Sequence, residues 1–111
     1  MILFLDDNLE RIERFIGEHP FGIVARTARE AIEALGYYRE LDTVSLDHDL
    51  GGESFVDSSR ADSGMEVVRW IEQNKPKVKH FIIHSVNPNA AAEMTQRLIA
   101  VGYEVERKPW A

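Results

Sequence analysis

Three short apolar runs in this chain each stop at groups able to handle a metal or a phosphate. Asp6-Asp7 follows Ile2-Leu3-Phe4-Leu5, Asp47-His48-Asp49 follows Val44-Ser45-Leu46, and His84-Ser85 follows Phe81-Ile82-Ile83. Carboxylates gather against their own repulsion when a hard cation holds them, so Asp6, Asp7 and Asp47 are candidate ligands for a divalent metal, Mg or Mn. Lys108 follows the last apolar segment, where its ammonium can balance charge on a phosphoryl oxygen, and Ser85 can donate a hydrogen bond to the same group.

Such residues converge only if the runs are neighbouring strands. Ile2 to Leu5 has the length of a buried strand, and Asp6-Asp7-Asn8 stops it with residues that cap a helix. Leu9, Ile12, Phe15 and Ile16 recur at helical spacing up to Gly17 and Pro20. Phe21 to Ala25 reads as a second strand, and Thr27 caps a helix with Ala31, Ile32, Leu35 and Tyr38 on its apolar face. Val44 to Leu46 form the third strand, and the polar stretch from Gly51 to Ser63 is long enough to be a lid or binding loop. A helix from Gly64 carries Met65, Val67, Val68 and Ile71. Phe81 to Ile83 is the fourth strand, a helix beyond Asn87 carries Ala92, Met94, Leu98 and Ile99, and Tyr103 to Glu106 is the fifth strand. Strands alternating with helices call for a parallel sheet covered on both faces, with ligands at the carboxyl ends of its strands.

The totals agree with one such domain spanning residues 1–111. A net charge of -6 argues against adhesion to duplex DNA, and the absence of cysteine excludes thiolate nucleophiles and cysteine zinc sites. The first apolar run is too short for a signal peptide and no run could span a bilayer, so a cytoplasmic location is expected.

In pattern and order these residues resemble the receiver domain of response regulators. An acidic pair after the first strand, a phosphoacceptor aspartate after the third, Ser or Thr after the fourth and Lys-Pro after the fifth are matched by Asp6-Asp7, Asp47, Ser85 and Lys108-Pro109. Ser63-Gly64 stands where receivers have Asp-Gly. The resemblance implies a flavodoxin-like three-layer α/β sandwich with strand order 2-1-3-4-5. Three features depart from ordinary receivers: the two histidines, the long loop after Gly51, and an end at Trp110-Ala111 that leaves out the final helix. The segments Leu5-Asp6-Asp7, Leu46-Asp47-His48-Asp49-Leu50-Gly51 and His84-Ser85-Val86-Asn87 are closer to the cyclic-phosphate processing receiver-like family.

That resemblance implies a metal-dependent phosphoesterase acting on a cyclic nucleotide or an RNA 2′,3′-cyclic end, in a setting of phage or mobile-element conflict. Its partners would be a phosphate-containing small molecule or an RNA terminus. His84 is then the first candidate acid or base and His48 the second, while Asp49 orients a histidine or joins the metal shell. Ser85, Asn87 and Lys108 would hold the phosphate. Asp47 is alternatively a nucleophile, and the alternative functions are a phosphorylatable module acting through a protein partner or a cyclic-nucleotide binder. Plainer readings stand beside these: Asp6-Asp7 as helix caps, both histidines as structural, Gly51-Gly52 as a turn. Arg60 is a weak candidate for meeting an anionic ligand. The face without a fifth helix is expected to be covered by a homodimer or by Trp110 folding back.

Overall fold

The computed structural model describes residues 1–109. Trp110, one of the two covers expected for the face without a fifth helix, lies outside them.

Ile2–Leu5 forms β1 as expected, with its last three residues buried. Asn8 caps α1 (Leu9–Glu18) by accepting the Arg11 N–H, a contact worth about 1 kcal/mol. Helix α1 runs through Gly17 and buries Ile12 and Phe15, while Leu9 and Ile16 of the expected apolar face are exposed. Strand β2 is only Ile23–Ala25; Phe21, assigned to it by its apolar character, is 92% exposed in the turn before it. Thr27 caps α2 (Ala28–Tyr37) through the Glu30 N–H.

Strand β3 (Leu41–Leu46) begins three residues before Val44, because Leu41 pairs with Val78 at the start of an equally lengthened β4 (Val78–Ile83). The polar residues Asp42 and Lys79 near these starts hide the strands from a purely apolar reading. Helix α3 spans Gly64–Asn74, and α4 spans Pro88–Ala100 with Asn87 as its cap and Ile99 on the exposed side. Strand β5 is Val105–Arg107, shifted past Tyr103, whose hydroxyl donates instead to the Pro76 carbonyl at 2.6 Å.

All strands are parallel, in the order β2-β1-β3-β4-β5. Since each crossover is right-handed, the reversal of order between β1 and β3 sends α1 to one face and the later helices to the other. Leu3, Leu5, Val44, Leu46, Phe81 and Ile83 face α2, α3 and α4 and form the main core. On the opposite face, Phe4 packs with Ile12 and Phe15 of α1, its ring stacked on that of Phe15 at 4.6 Å. Among the described residues no helix follows β5, and α1 covers this second face alone. Beside α1 runs a groove of about 450 Å³ lined in part by Phe4, Ser45, Ile82, His84 and Lys108. No helix among the described residues is long and apolar enough to cross a membrane.

Candidate metal centre

Sheet register brings the candidate side chains together. Leu5, Leu46 and Ile83 are partners across β1, β3 and β4, and Arg107 of β5 pairs with Ile83. One residue further, the ladder bonds continue: Asp47 donates its N–H to Leu5, His84 to Leu46, and Lys108 to Ile83. Asp6, Asp47, His84 and Lys108 therefore end four neighbouring strands at one level. Because side chains alternate along a strand, Asp6, Asp47 and His84 share the α1 face with Phe4, Ser45 and Ile82, two residues back.

Asp6, Asp47 and His84 are all buried and offer ligand atoms within 4.8 Å of one another. His84 Nε2 lies 3.0 Å from Asp6 Oδ2, its Nδ1 lies 2.7 Å from Ser45 Oγ, and its ring stacks on Phe4 at 4.8 Å. Asp6 Oδ1 also accepts the Asn8 N–H, and Arg11 Nη1 approaches Oδ2 at 3.5 Å. Burial alone would raise the Asp6 pKa, but hydrogen bonds from His84 and Asn8 and the charges of His84 and Arg11 outweigh it and hold Asp6 below the usual carboxylate range. Asp47 has less help. Burial, then the neighbouring charge of Asp6, push its pKa up to about 7 against the N–H it accepts from His48 and the charge of Arg11.

This donor set fits a divalent cation. Two carboxylates buried side by side repel each other until positive charge is supplied, and an imidazole beside them is a transition-metal ligand. One nitrogen and two oxygens suit Mn better than Mg, which prefers oxygen and water.

Asp7 does not join the three. Its Oδ2 accepts the Gly52 N–H at 2.7 Å, tying the loop after β3 to the end of β1. Gly51 and Gly52 both have positive φ there, so the turn reading of that pair holds.

His48 and Asp49 are built into the long loop instead. His48 is fully buried, with Nδ1 2.8 Å from Asp49 Oδ1 and Nε2 2.9 Å from Ser58 Oγ. Asp49 accepts, besides that ring, the N–H groups of Phe55 and Val56 and the Asn87 side-chain amide. Burial opposes its charge, yet the bonds from His48, Phe55, Asn87 and Val56 keep its pKa below the ordinary range. Phe55 holds φ at 54°, a strained value for an aromatic residue, while its N–H is fixed on Asp49. Ser63 donates to the Arg60 carbonyl, and Arg69 of α3 donates to the carbonyls of Ser58 and Arg60. The segment read as a lid or binding loop is thus pinned along its length. Arg60, weighed as an anion contact, forms ion pairs with Glu53 and Asp62.

Gly64 opens α3 directly against the end of β3. A Cβ built there would lie 2.0 Å from the Asp47 carbonyl oxygen, and the Gly64 N–H donates to His48 O at 2.9 Å. No other residue fits so close to the backbone of the candidate ligand.

Ser85 is buried, and its Oγ accepts the Asn87 N–H, leaving its own hydrogen to give. Asn87 is engaged at both ends: Oδ1 caps α4 on Ala90, and Nδ2 reaches Asp49. Lys108 is exposed at the rim of the groove beside His84. Sequence reading missed Ser45, Arg11 and Ser58. Ser45 carried a signal: it is a polar residue in a buried strand, two positions before Asp47 and so on the same face.

The solved structures similar to this chain include the signal receiver domain of a modulated diguanylate cyclase from Desulfovibrio desulfuricans G20, at 21% identity and a TM-score of 0.53, over 99% of this chain and 82% of that one. Another is a fusion carrying amino acids 181–211 of the yeast Spc42 trimeric coiled coil, at 20% identity and a TM-score of 0.55, over 99% of this chain and 69% of that one. At such identities the likeness concerns the fold, which is that of a receiver. None of the curated proteins matches the chain. The model of the cyclic-phosphate processing Receiver domain matches residues 1–100, nine-tenths of the sequence and the ends of β1, β3 and β4, and the chain belongs to that family.

Proposed function

We propose that this domain is a metal-dependent phosphoesterase that opens a cyclic phosphodiester, on a cyclic nucleotide or an RNA 2′,3′-cyclic end. The observation that carries this reading is the convergence of Asp6, Asp47 and His84 within 4.8 Å on one buried face. These three would hold the cation. When bound, it supplies charge neutralisation at the phosphoryl oxygens and an activated water.

The chain's own groups act around it. Lys108 brings a positive charge to the same level of the sheet, and Ser85 has a hydroxyl hydrogen to give a phosphoryl oxygen. Arg11 balances part of the Asp6 charge from the α1 side. Asn87 serves by fixing the start of α4 and the Asp49 carboxylate, and His48 by ordering the loop. His84, with Nε2 turned to Asp6, is better suited to hold the cation than to carry a proton.

A second reading is a phosphorylatable receiver module, with Asp47 as phosphoacceptor between Asp6 and Lys108. Their order along the strand ends favours it. Incubating the protein with 2′,3′-cyclic nucleotides, with and without Mn2+, separates the two. Cation-dependent formation of the monoester supports the phosphoesterase. No turnover, together with a stable phosphoryl adduct on Asp47 after acetyl phosphate treatment, overturns it in favour of the module.

A further inference from the structure

Among the described residues four arginines are partly covered, and three of them use the whole guanidinium. Arg60 bonds Glu53 and Asp62, Arg69 bonds Glu66 and the carbonyls of Ser58 and Arg60, and Arg97 bonds Glu72 and Glu93, each through Nε, Nη1 and Nη2. Arg11 is covered more than any of these: 22% of its side chain is exposed, against 30% for Arg69, 31% for Arg97 and 40% for Arg60. Yet its guanidinium makes one contact, Nη1 to Asp6 Oδ2 at 3.5 Å. A settled guanidinium–carboxylate pair is commonly bidentate, with bonds of about 2.7–2.9 Å. Every buried side-chain nitrogen and oxygen among the described residues has a partner, so the unbonded Nε and Nη2 of Arg11 are open to solvent.

The place of Arg11 in the fold calls for negative charge. It is the third residue of α1, in the first turn, where the helix dipole disfavours a cation. Its charge favours the ionised forms of both Asp6 and Asp47. Helix α1 follows β1, and Lys108 follows β5, so these two cations flank the ends of β3 and β4 from opposite sides. A divalent cation would cancel the charges of Asp6 and Asp47, leaving Arg11 and Lys108 to attract an anion. A guanidinium edge matches two oxygens of one phosphate, as an ammonium does not.

We propose that Arg11 is a phosphate-binding residue of this centre, its open Nε and Nη2 edge gripping two oxygens of the substrate phosphate from the α1 side, opposite Lys108. This role rests on the proposed cation site and phosphoesterase reading, and deepens them by giving the phosphate a second, directional attachment. Mere neutralisation of Asp6 would act on the metal and the fold, and leave phosphate binding alone.

Calorimetry on the whole chain separates the two roles. Wild type, Arg11→Ala and Arg11→Lys are each titrated with Mn2+, then at saturating Mn2+ with inorganic phosphate, with thermal melting to confirm that the variants fold. Arg11→Ala should weaken phosphate by roughly 10- to 100-fold, as expected for losing a charged two-pronged bond, and bind Mn2+ within a few-fold of wild type. Arg11→Lys keeps the charge without the fork and should recover only part of the phosphate affinity. If Arg11→Ala binds phosphate as tightly as wild type, or Arg11→Lys recovers it fully, the grip of the Arg11 fork is refuted while the cation site and the phosphoesterase reading stand. If wild type binds Mn2+ but no phosphate, or binds neither, the phosphoesterase reading falls with it.

Discussion

His48 and His84 end neighbouring strands, are equally buried and have both ring nitrogens engaged, yet they belong to different machinery. His84 stays on the sheet ladder, donating its N–H to Leu46, so its ring remains on the α1 face beside Asp6 and Asp47. His48 lies one residue beyond Asp47, whose N–H makes the last ladder bond of β3, and its ring turns to Asp49 and Ser58 in the loop. Their carboxylate contacts are opposite as well: a carboxylate faces Nε2 in His84 and Nδ1 in His48. One histidine is placed by the sheet and can meet a cation, and the other is the post around which a loop is wound.

The largest effect that tests this contrast is at Gly64, where both halves meet. Gly64→Ala puts a Cβ into the Asp47 carbonyl, so α3 and the loop must move; a loss of about 3 kcal/mol or more is expected in chemical denaturation, along with Mn2+ binding.

Next come the histidines themselves. His48→Ala removes a fully buried ring and strands Asp49 and Ser58, costing on the order of 2–4 kcal/mol, with proteolytic cleavage appearing between residues 51 and 62. Its affinity for Mn2+ should change little. His84→Ala should do the reverse, weakening Mn2+ at least about 100-fold while the loop stays resistant to protease.

A smaller effect concerns pH. The Asp47 pKa is raised to about 7 in the folded chain, against an ordinary 3.8, so its contribution to stability is fully present below the ordinary value and is lost as pH rises through about 7. Asp6 and Asp49 are held low, so theirs is present above the ordinary value and is lost as pH falls. Melting of the metal-free protein should therefore peak in mildly acid solution and decline toward about pH 8. Asp47→Asn should flatten the decline, and saturating Mn2+ should remove it, because the cation takes the ionised carboxylate. The smallest effect is expected at Asp7. Asp7→Asn loses a charge-assisted bond to one exposed N–H, within about 1 kcal/mol, and leaves Mn2+ binding nearly unchanged.

Acids and histidines at the ends of apolar runs located the site, since a parallel sheet brings such ends together whatever the side chains do later. Strand register then carries Asp6, Asp47 and His84 to one level. Residues beyond the last ladder bond obey no alternation, which is why Asp7, His48 and Asp49 could not be sorted in advance. Asp47 and Asp49 would face alike on a continuing strand, but the chain has left the sheet by then and Asp49 serves the loop. Phe21 and Ile99 were placed by hydrophobicity alone, and both are exposed because no neighbouring element covers them. The pinned loop was illegible for another reason: its bonds run to main-chain groups, from Asp49 to Phe55 and Val56 and from Arg69 to Ser58 and Arg60, which no side-chain pattern announces.

The most direct test of the centre is a Mn2+ titration followed by the electron paramagnetic resonance of the free ion, on wild type and on Asp47→Asn. One saturable site per wild-type chain, lost in Asp47→Asn, is the expected result. No saturable site in wild type, or a site that Asp47→Asn retains at full affinity, would contradict a cation held by Asp6, Asp47 and His84.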